Sequence, residues 1–292
     1  MKRILIPLDG SSLAEAVVPV AGALARDYEA EILLLRALPI KRSADEEAEA
    51  QQAAEEYLAR VGEDLRRRGL SAVEWKVWYN EPAQAIVDAA TYNEIDLVTM
   101  ATHGRSGLGR LFLGSVAESV VRRLTVPVLL VRGEPSAEPG AIGRILVPLD
   151  GSEASEAVLA VVAGLAGPFD FTIDLLHVVE PLTPAALAEV GSQADELLRR
   201  RYAEAETDLA RLAGRLEARG LRVRWTARLG LAAEAIQEYA DREKIGLIAM
   251  TTHGRSGLGR LFLGSVAEQI LRAARVPVLL LKARAGGPTA AG

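Results

Sequence analysis

Residues 102–118 and residues 252–268 both read THGRSGLGRLFLGSVAE, seventeen identical letters set 150 positions apart. The residue types suit the holding of an anion. Gly104, Gly107 and Gly109, with Gly254, Gly257 and Gly259 in the second copy, let backbone come close to a ligand. Arg105 and Arg110, matched by Arg255 and Arg260, add positive charge, and Ser106 and Ser256 add hydroxyls. Gly114-Ser115 and Gly264-Ser265 then open helical patterns, where free N–H groups and the helix dipole favour a negative group and the serine can cap or donate. A polyphosphate answers to this set. His103 and His253 lie inside the stretch and either contact phosphate or orient the loop. A plainer reading, with flexible-loop glycines, solvated arginines and an ordinary cap, stays open for one copy. Identity kept between halves that have otherwise diverged favours a shared task over recent duplication alone.

Familiar motifs fit poorly. Gly104–Leu111 is a near miss to a P-loop, with Arg110 in place of the lysine and Leu111 in place of the Mg-binding hydroxyl. The dinucleotide fingerprint should follow the first strand, where Asp9-Gly10-Ser11-Ser12 stands instead. No HExxH, GxSxG or metal-spaced His/Asp cluster occurs, so no catalytic residue and no metal ligand set is assigned. Asp9 and Asp150 end the first strands of the two halves, beside the same crevice. Each accepts a hydrogen bond from a base or sugar, or helps hold Mg²⁺, or caps the helix that begins at Ser11 or Ser152. His177 lies in a strand, with Arg36 as its counterpart, and reads as a packed histidine. Trp75 and Trp225 match in the third strands and read as core; Phe112 and Phe262 fall in the loops.

The elements that must position these groups come from one unit written twice. Ile4–Ser11 matches Ile145–Ser152 at an offset of 141, Gly69-Leu70 matches Gly220-Leu221 at 151, and Trp75 matches Trp225 at 150. The second half therefore gains ten residues in its middle helix and then loses one. The first half predicts strands at Ile4–Leu8, Glu31–Leu38, Ala72–Tyr79, Ile95–Ala101 and Val126–Val131. Helices are predicted at Ser11–Asp27, Ser43–Arg68, Pro82–Tyr92 and Gly114–Leu124. Leu13, Val17, Val20 and Leu24 share a face of the first. The second half repeats the order, with its long middle helix at about Pro184–Arg219. That helix is amphipathic and serves as a covering layer or a partner surface. Several strands are apolar throughout, the pattern of strands buried on both faces of a parallel sheet. The fold class is α/β, two tandem doubly wound domains. We place domain 1 at residues 1–133, a linker at 134–143, domain 2 at 144–284 and a flexible tail at 285–292.

The 292 residues suit two domains, and 50% hydrophobic with 25% charged residues describes an ordinary globular chain. A net charge of −5 argues against a broad nucleic-acid footprint, and the absence of cysteine removes disulfides and thiolate sites. The apolar run before Asp9 is too brief for a secretory segment and no stretch suits a membrane span, so a cytoplasmic protein is expected.

The residues resemble the universal stress protein family in its tandem two-domain form. The resemblance rests on the I-L-[IV]-P-L-D-G-S first strand, the five-strand order, the closing V-P-V-L-L strand, and the family's G-x2-G-x9-G-[ST] motif after the fourth strand. Gly104, Gly114 and Ser115 fill its last three positions in one half, and Gly254, Gly264 and Ser265 in the other. Its first glycine is replaced by Ala101 and Thr251, where an extra Cβ is expected to crowd a ligand, more so at Thr251. The resemblance implies ATP, together with Mg²⁺, in each domain. It implies base and ribose near Pro7, Asp9 and the backbone of Ala37, or Pro148, Asp150 and Val178. It implies phosphates held by Ala101, Thr102, His103, Gly104, Arg105, Ser106 and Gly107 with Gly114, Ser115 and Val116. The second set is Thr251, Thr252, His253, Gly254, Arg255, Ser256 and Gly257 with Gly264, Ser265 and Val266. A sheet order of 3-2-1-4-5, pairing of the two domains through their fifth strands, and further homodimerisation are also implied. The expected role is a nucleotide-responsive stress protein and not a metabolic enzyme. The rivals are a slow ATP-hydrolysing or adenylating α/β enzyme, and a nucleotide-free interaction module.

Overall fold

The computed structural model describes residues 1–40, 43–102, 113–132, 142–166, 170–253 and 263–282. Backbone contacts divide the chain into two units, residues 1–140 with 275–282 and residues 141–274 with 283–292. The first repeat runs β1 (Arg3–Pro7), α1 (Ser12–Glu15), α2 (Val18–Tyr28), β2 (Glu31–Leu38), α3 (Ala44–Arg67), β3 (Val73–Tyr79), α4 (Pro82–Tyr92), β4 (Leu97–Ala101), α5 (Ser115–Arg123) and β5 (Val128–Val131). The second runs β6 (Arg144–Leu149), α6 (Glu153–Glu156), α7 (Val158–Gly164), β7 (Thr172–Val179), α8 (Pro184–Val190), α9 (Ala194–Glu217), β8 (Arg222–Leu229), α10 (Ala232–Arg242), β9 (Leu247–Thr251), α11 (Ser265–Ala273) and β10 (Val278–Leu281).

In the first unit the strands lie in the order β3-β2-β1-β4-β5, all parallel. The fifth strand of the second repeat, β10, is counted with this unit and pairs antiparallel with β5, Leu279 opposite Leu129. In the second unit the order is β9-β6-β7-β8, again parallel. The uniform apolar runs have their expected cause. Ile4, Leu5 and Ile6 are fully buried in β1, and every residue of β4 and of β9 is buried, so helices cover both faces of these strands. Matched helix positions fill matched places: Leu58 in α3 and Leu209 in α9 are both buried, as are Leu65 and Leu216.

Three readings of the sequence are corrected. The predicted helix Ser11–Asp27 is two helices, α1 and α2, with Val17 buried at the break and Val20 only half-buried. Pro19, without an N–H to continue the ladder, accounts for a break in the first repeat, but the second repeat breaks at the same place with Ala160 there. The long helix predicted over 184–219 is interrupted by a tight turn at Gly191–Gln193, where Gly191 takes φ 51°, a conformation outside the right-handed helix. Trp225 is 41% exposed instead of core. In the first unit a Cβ on Gly62 would stand 3.2 Å from the Trp75 ring, so glycine lets that ring lie against α3. The matching residue on α9 is Ala213. Among the described residues no helix is long and apolar enough to cross a membrane.

Candidate functional site

In the second unit β6 has β7 on one side and β9 on the other, so strand order reverses there and a crevice opens at the carboxyl edge. β6 delivers Pro148, Leu149 and Asp150 to it. The Ser152 N–H and hydroxyl both donate to Asp150 Oδ1, at 3.0 and 2.6 Å, and Ser152 Oγ accepts from the Ser155 N–H at 3.1 Å. Serine is thus the helix cap, and aspartate is the group that holds the serine. The first unit repeats this: Ser11 donates to Asp9 Oδ1 at 2.9 and 2.6 Å and caps Ala14 at 3.1 Å.

The turn after β9 brings backbone donors to the same edge. Thr251, the last residue of β9, is buried and donates its hydroxyl to the His253 carbonyl at 2.9 Å. The hydroxyl of Thr252 lies 3.1 Å from His253 Nδ1, while Nε2 of that ring is buried without a hydrogen-bond partner. The Gly264 N–H donates to the Thr252 carbonyl at 2.8 Å, and a Cβ on Gly264 would stand 3.1 Å from that carbonyl oxygen. Only glycine fits so close an approach without displacing backbone. Gly264 is the N-cap of α11 with no side-chain cap bond, so the first N–H groups of the helix, at Ser265, Val266 and Ala267, border the crevice as an anion-favouring end. Gly114 caps α5 in the same way, its N–H donating to the Thr102 carbonyl at 2.9 Å.

Together these groups enclose a cleft of ≈ 680 Å³. Of the residues singled out in the second half, Pro148, Asp150, Val178, Thr251, Thr252, His253, Gly264, Ser265 and Val266 all line it. Gly254, Arg255, Ser256 and Gly257 lie outside the described residues. In the first half Pro7 ends β1 in register with Leu35, Asp9 follows it, and Ala37 lies in β2 opposite Trp78. Ala101 ends β4 and is buried with Thr102, and Gly114, Ser115 and Val116 open α5. His103, Gly104, Arg105, Ser106 and Gly107 fall outside the described residues.

The structure adds residues that sequence reasoning passed over. Glu180 and Thr183 follow β7, and Arg201, Glu204 and Asp208 come from one face of α9. Residue type alone did not mark them; Glu204 and Asp208 adjoin Ala205 and Leu209, the buried stripe of that helix, whose packing brings them to the cleft. His177 is buried in β7, as expected of a packed histidine, and also lines the cleft. In the first unit its counterpart Arg36 lies over the Tyr57 ring, 5.5 Å from the centroid. Burial, then the charges of Glu15 and, more weakly, Asp9, push the Tyr57 hydroxyl far above the usual phenol range, with Arg36 opposing them.

The model of the universal stress protein family matches residues 1–132 and again residues 141–282. The chain belongs to the universal stress protein family. It is 29% identical over 225 residues to a universal stress protein of Mycobacterium tuberculosis, covering 72% of this chain and 69% of the relative. One from Mycolicibacterium smegmatis is 25% identical over 296 residues, 96% of this chain and 97% of the relative. The solved structure of a universal stress protein from Archaeoglobus fulgidus superposes with a TM-score of 0.76 at 22% identity, covering 96% of this chain and 98% of that one. Both family matches and full-length relatives make this a tandem two-domain member.

Proposed function

We propose that each unit binds an adenine nucleotide, ATP carried with Mg²⁺, and that the protein acts in the cytoplasm as a nucleotide-responsive regulatory protein and not as a metabolic enzyme. The observation that carries the reading is the glycine-tight turn at Gly264, which aims the N-terminus of α11 into a cleft at the reversal of strand order. The cleft has the volume of small-molecule sites, which run to about 300–1,000 Å³. Phosphates would take the N–H groups of Ser265 and Val266, and the sugar and base would lie towards Asp150 and Val178. The first unit offers Ser115 and Val116, with Asp9 and Ala37. Among the described residues no three His, Asp or Glu side chains gather as a ready-made metal site. Mg²⁺ therefore fits best as a passenger on the phosphates, its usual mode with nucleotides.

Thermal unfolding of the whole chain tests the reading. A ligand bound to the folded state alone raises stability by RT ln(1 + [L]/Kd), so ATP with Mg²⁺ should raise Tm progressively with concentration, and adenosine should do so far less. No shift with saturating ATP would reject nucleotide binding. Multiple-turnover phosphate release at ordinary enzyme rates, about 1–10³ per second, would replace the regulatory reading with an enzymatic one.

A further inference from the structure

Resting on the nucleotide reading of the same cleft, we infer that the two units select differently at the sugar end, the second unit rejecting nucleotides that carry a phosphate on the ribose. The second-unit cleft spans β9, β6 and β7, two strand spacings or about 10 Å across. At one side stand Thr252 and the N-terminus of α11, which favour an anion. At the other stand the end of β7 and the face of α9, bringing Glu180, Glu204 and Asp208 against the single arginine of the described lining, Arg201. Carboxylates only accept hydrogen bonds, so this side suits hydroxyls and amino groups and repels a second phosphate. Their own partners offset part of that charge, while the carboxylate oxygens remain acceptors only. Arg200, which does not line the cleft, holds Glu204 at 2.8 Å, Arg211 reaches Asp208 at 3.5 Å, and Glu180 accepts the Ala232 N–H at 3.3 Å.

The first repeat has the opposite character at the matched places. The offset of 151 that aligns Leu58 with Leu209 places Ala50, Ala53 and Tyr57 where Arg201, Glu204 and Asp208 stand. The offset of 141 that aligns the first strands places Pro39 at Glu180 and Arg36 at His177. Three carboxylates have no counterpart, and a guanidinium stacked on Tyr57 replaces an imidazole. An inequality between the sites thus lies at the sugar end, separate from the one at Ala101 and Thr251.

ADP and adenosine 3′,5′-bisphosphate form the probe pair, since they carry the same number of phosphates and differ in where the second one sits. Calorimetric titration of the full chain with Gly114→Val reports on the second unit, and with Gly264→Val on the first. The second unit should favour ADP by about tenfold at low salt, a preference that shrinks as ionic strength rises. Glu204→Ala with Asp208→Tyr, which installs the first unit's residues on an exposed helix face, should bring the two affinities within about threefold. The first unit should show no such preference. Equal affinities in the parent second unit, or a preference unchanged by the double substitution or by salt, would overturn the inference while leaving nucleotide binding intact. Failure of ADP itself to bind would overturn the nucleotide reading and this inference with it.

Discussion

Substituting Gly264 by alanine tests whether the close turn after β9 makes the anion-binding end of the cleft. The added Cβ would sit 3.1 Å from the Thr252 carbonyl oxygen, with His253 Cα the next atom at 3.7 Å. The obstruction is backbone, so it cannot swing aside as a side chain would. It is also the acceptor of the Gly264 N–H at 2.8 Å, and relief of the contact stretches that bond. Crowding of this kind costs about 1–3 kcal/mol of stability. The effect on binding is separate. Moving the start of α11 misplaces the Ser265 and Val266 N–H groups, and each charge-assisted hydrogen bond lost to a phosphate is worth about 1.5–3 kcal/mol. That corresponds to roughly ten- to hundredfold in Kd. Titration calorimetry with ATP on Gly264→Ala should show one strong site lost and the other kept, and Gly114→Ala should remove the opposite one. Circular dichroism should confirm that both variants fold. If folded Gly264→Ala gave an isotherm superimposable on that of the parent, the turn would not be the phosphate-holding element.

Asp174 is fully buried, takes both a 2.9 and a 2.6 Å hydrogen bond from Arg144, and accepts the Tyr239 hydroxyl at 2.9 Å. Asp174→Ala should therefore destabilise the second unit by about 3–5 kcal/mol, since the Tyr239 phenol loses an acceptor and the Arg144 guanidinium loses one of its two carboxylates, and denaturant unfolding would measure it. Glu243, beside Arg144 and Arg242, has its carboxyl held below the ordinary 4.5, first by the hydrogen bond from Arg144. A folded-state pKa below the unfolded one adds stability that is present above about pH 4.5 and is lost as pH falls through the folded value. Glu243→Gln should flatten the acid limb of stability against pH, and an unchanged limb would refute the assignment. Thr251→Ala, which gives the second site the residue of the first, removes the hydrogen bond to the His253 carbonyl. ATP affinity should fall by about fivefold, the equivalent of about 1 kcal/mol. A rise would mean that the threonine Cβ crowds the ligand.

Much of the fold could be read from the chain because several of its strands carry no solvent-facing alternation. A run such as Leu97–Ala101, buried at every position, implies a layer on each side. The helix breaks were harder to read. Nothing in the apolar pattern over 11–27 marks the interruption before Val18, and Ala160 in the second repeat shows that proline is not its general cause. Gly191 did carry a signal for the break over 184–219, but one glycine within an amphipathic pattern is a weak one. At the site, Asp150, Gly264 and Ser265 were legible through residue type and spacing. The α9 face was not, because Glu204 and Asp208 look like ordinary solvated charges until the packing of Ala205 and Leu209 turns them to the cleft. Asp9 and Asp150 stood between two roles because an aspartate two residues before a serine cap looks, in sequence, much like a cap itself.

The most direct measurement is a calorimetric titration of the full chain with ATP and Mg²⁺. The account predicts saturable heat approaching two nucleotides per chain, one for each glycine-serine helix start. An absence of heat at about 1 mM ATP, a free energy weaker than about −4 kcal/mol, would contradict it.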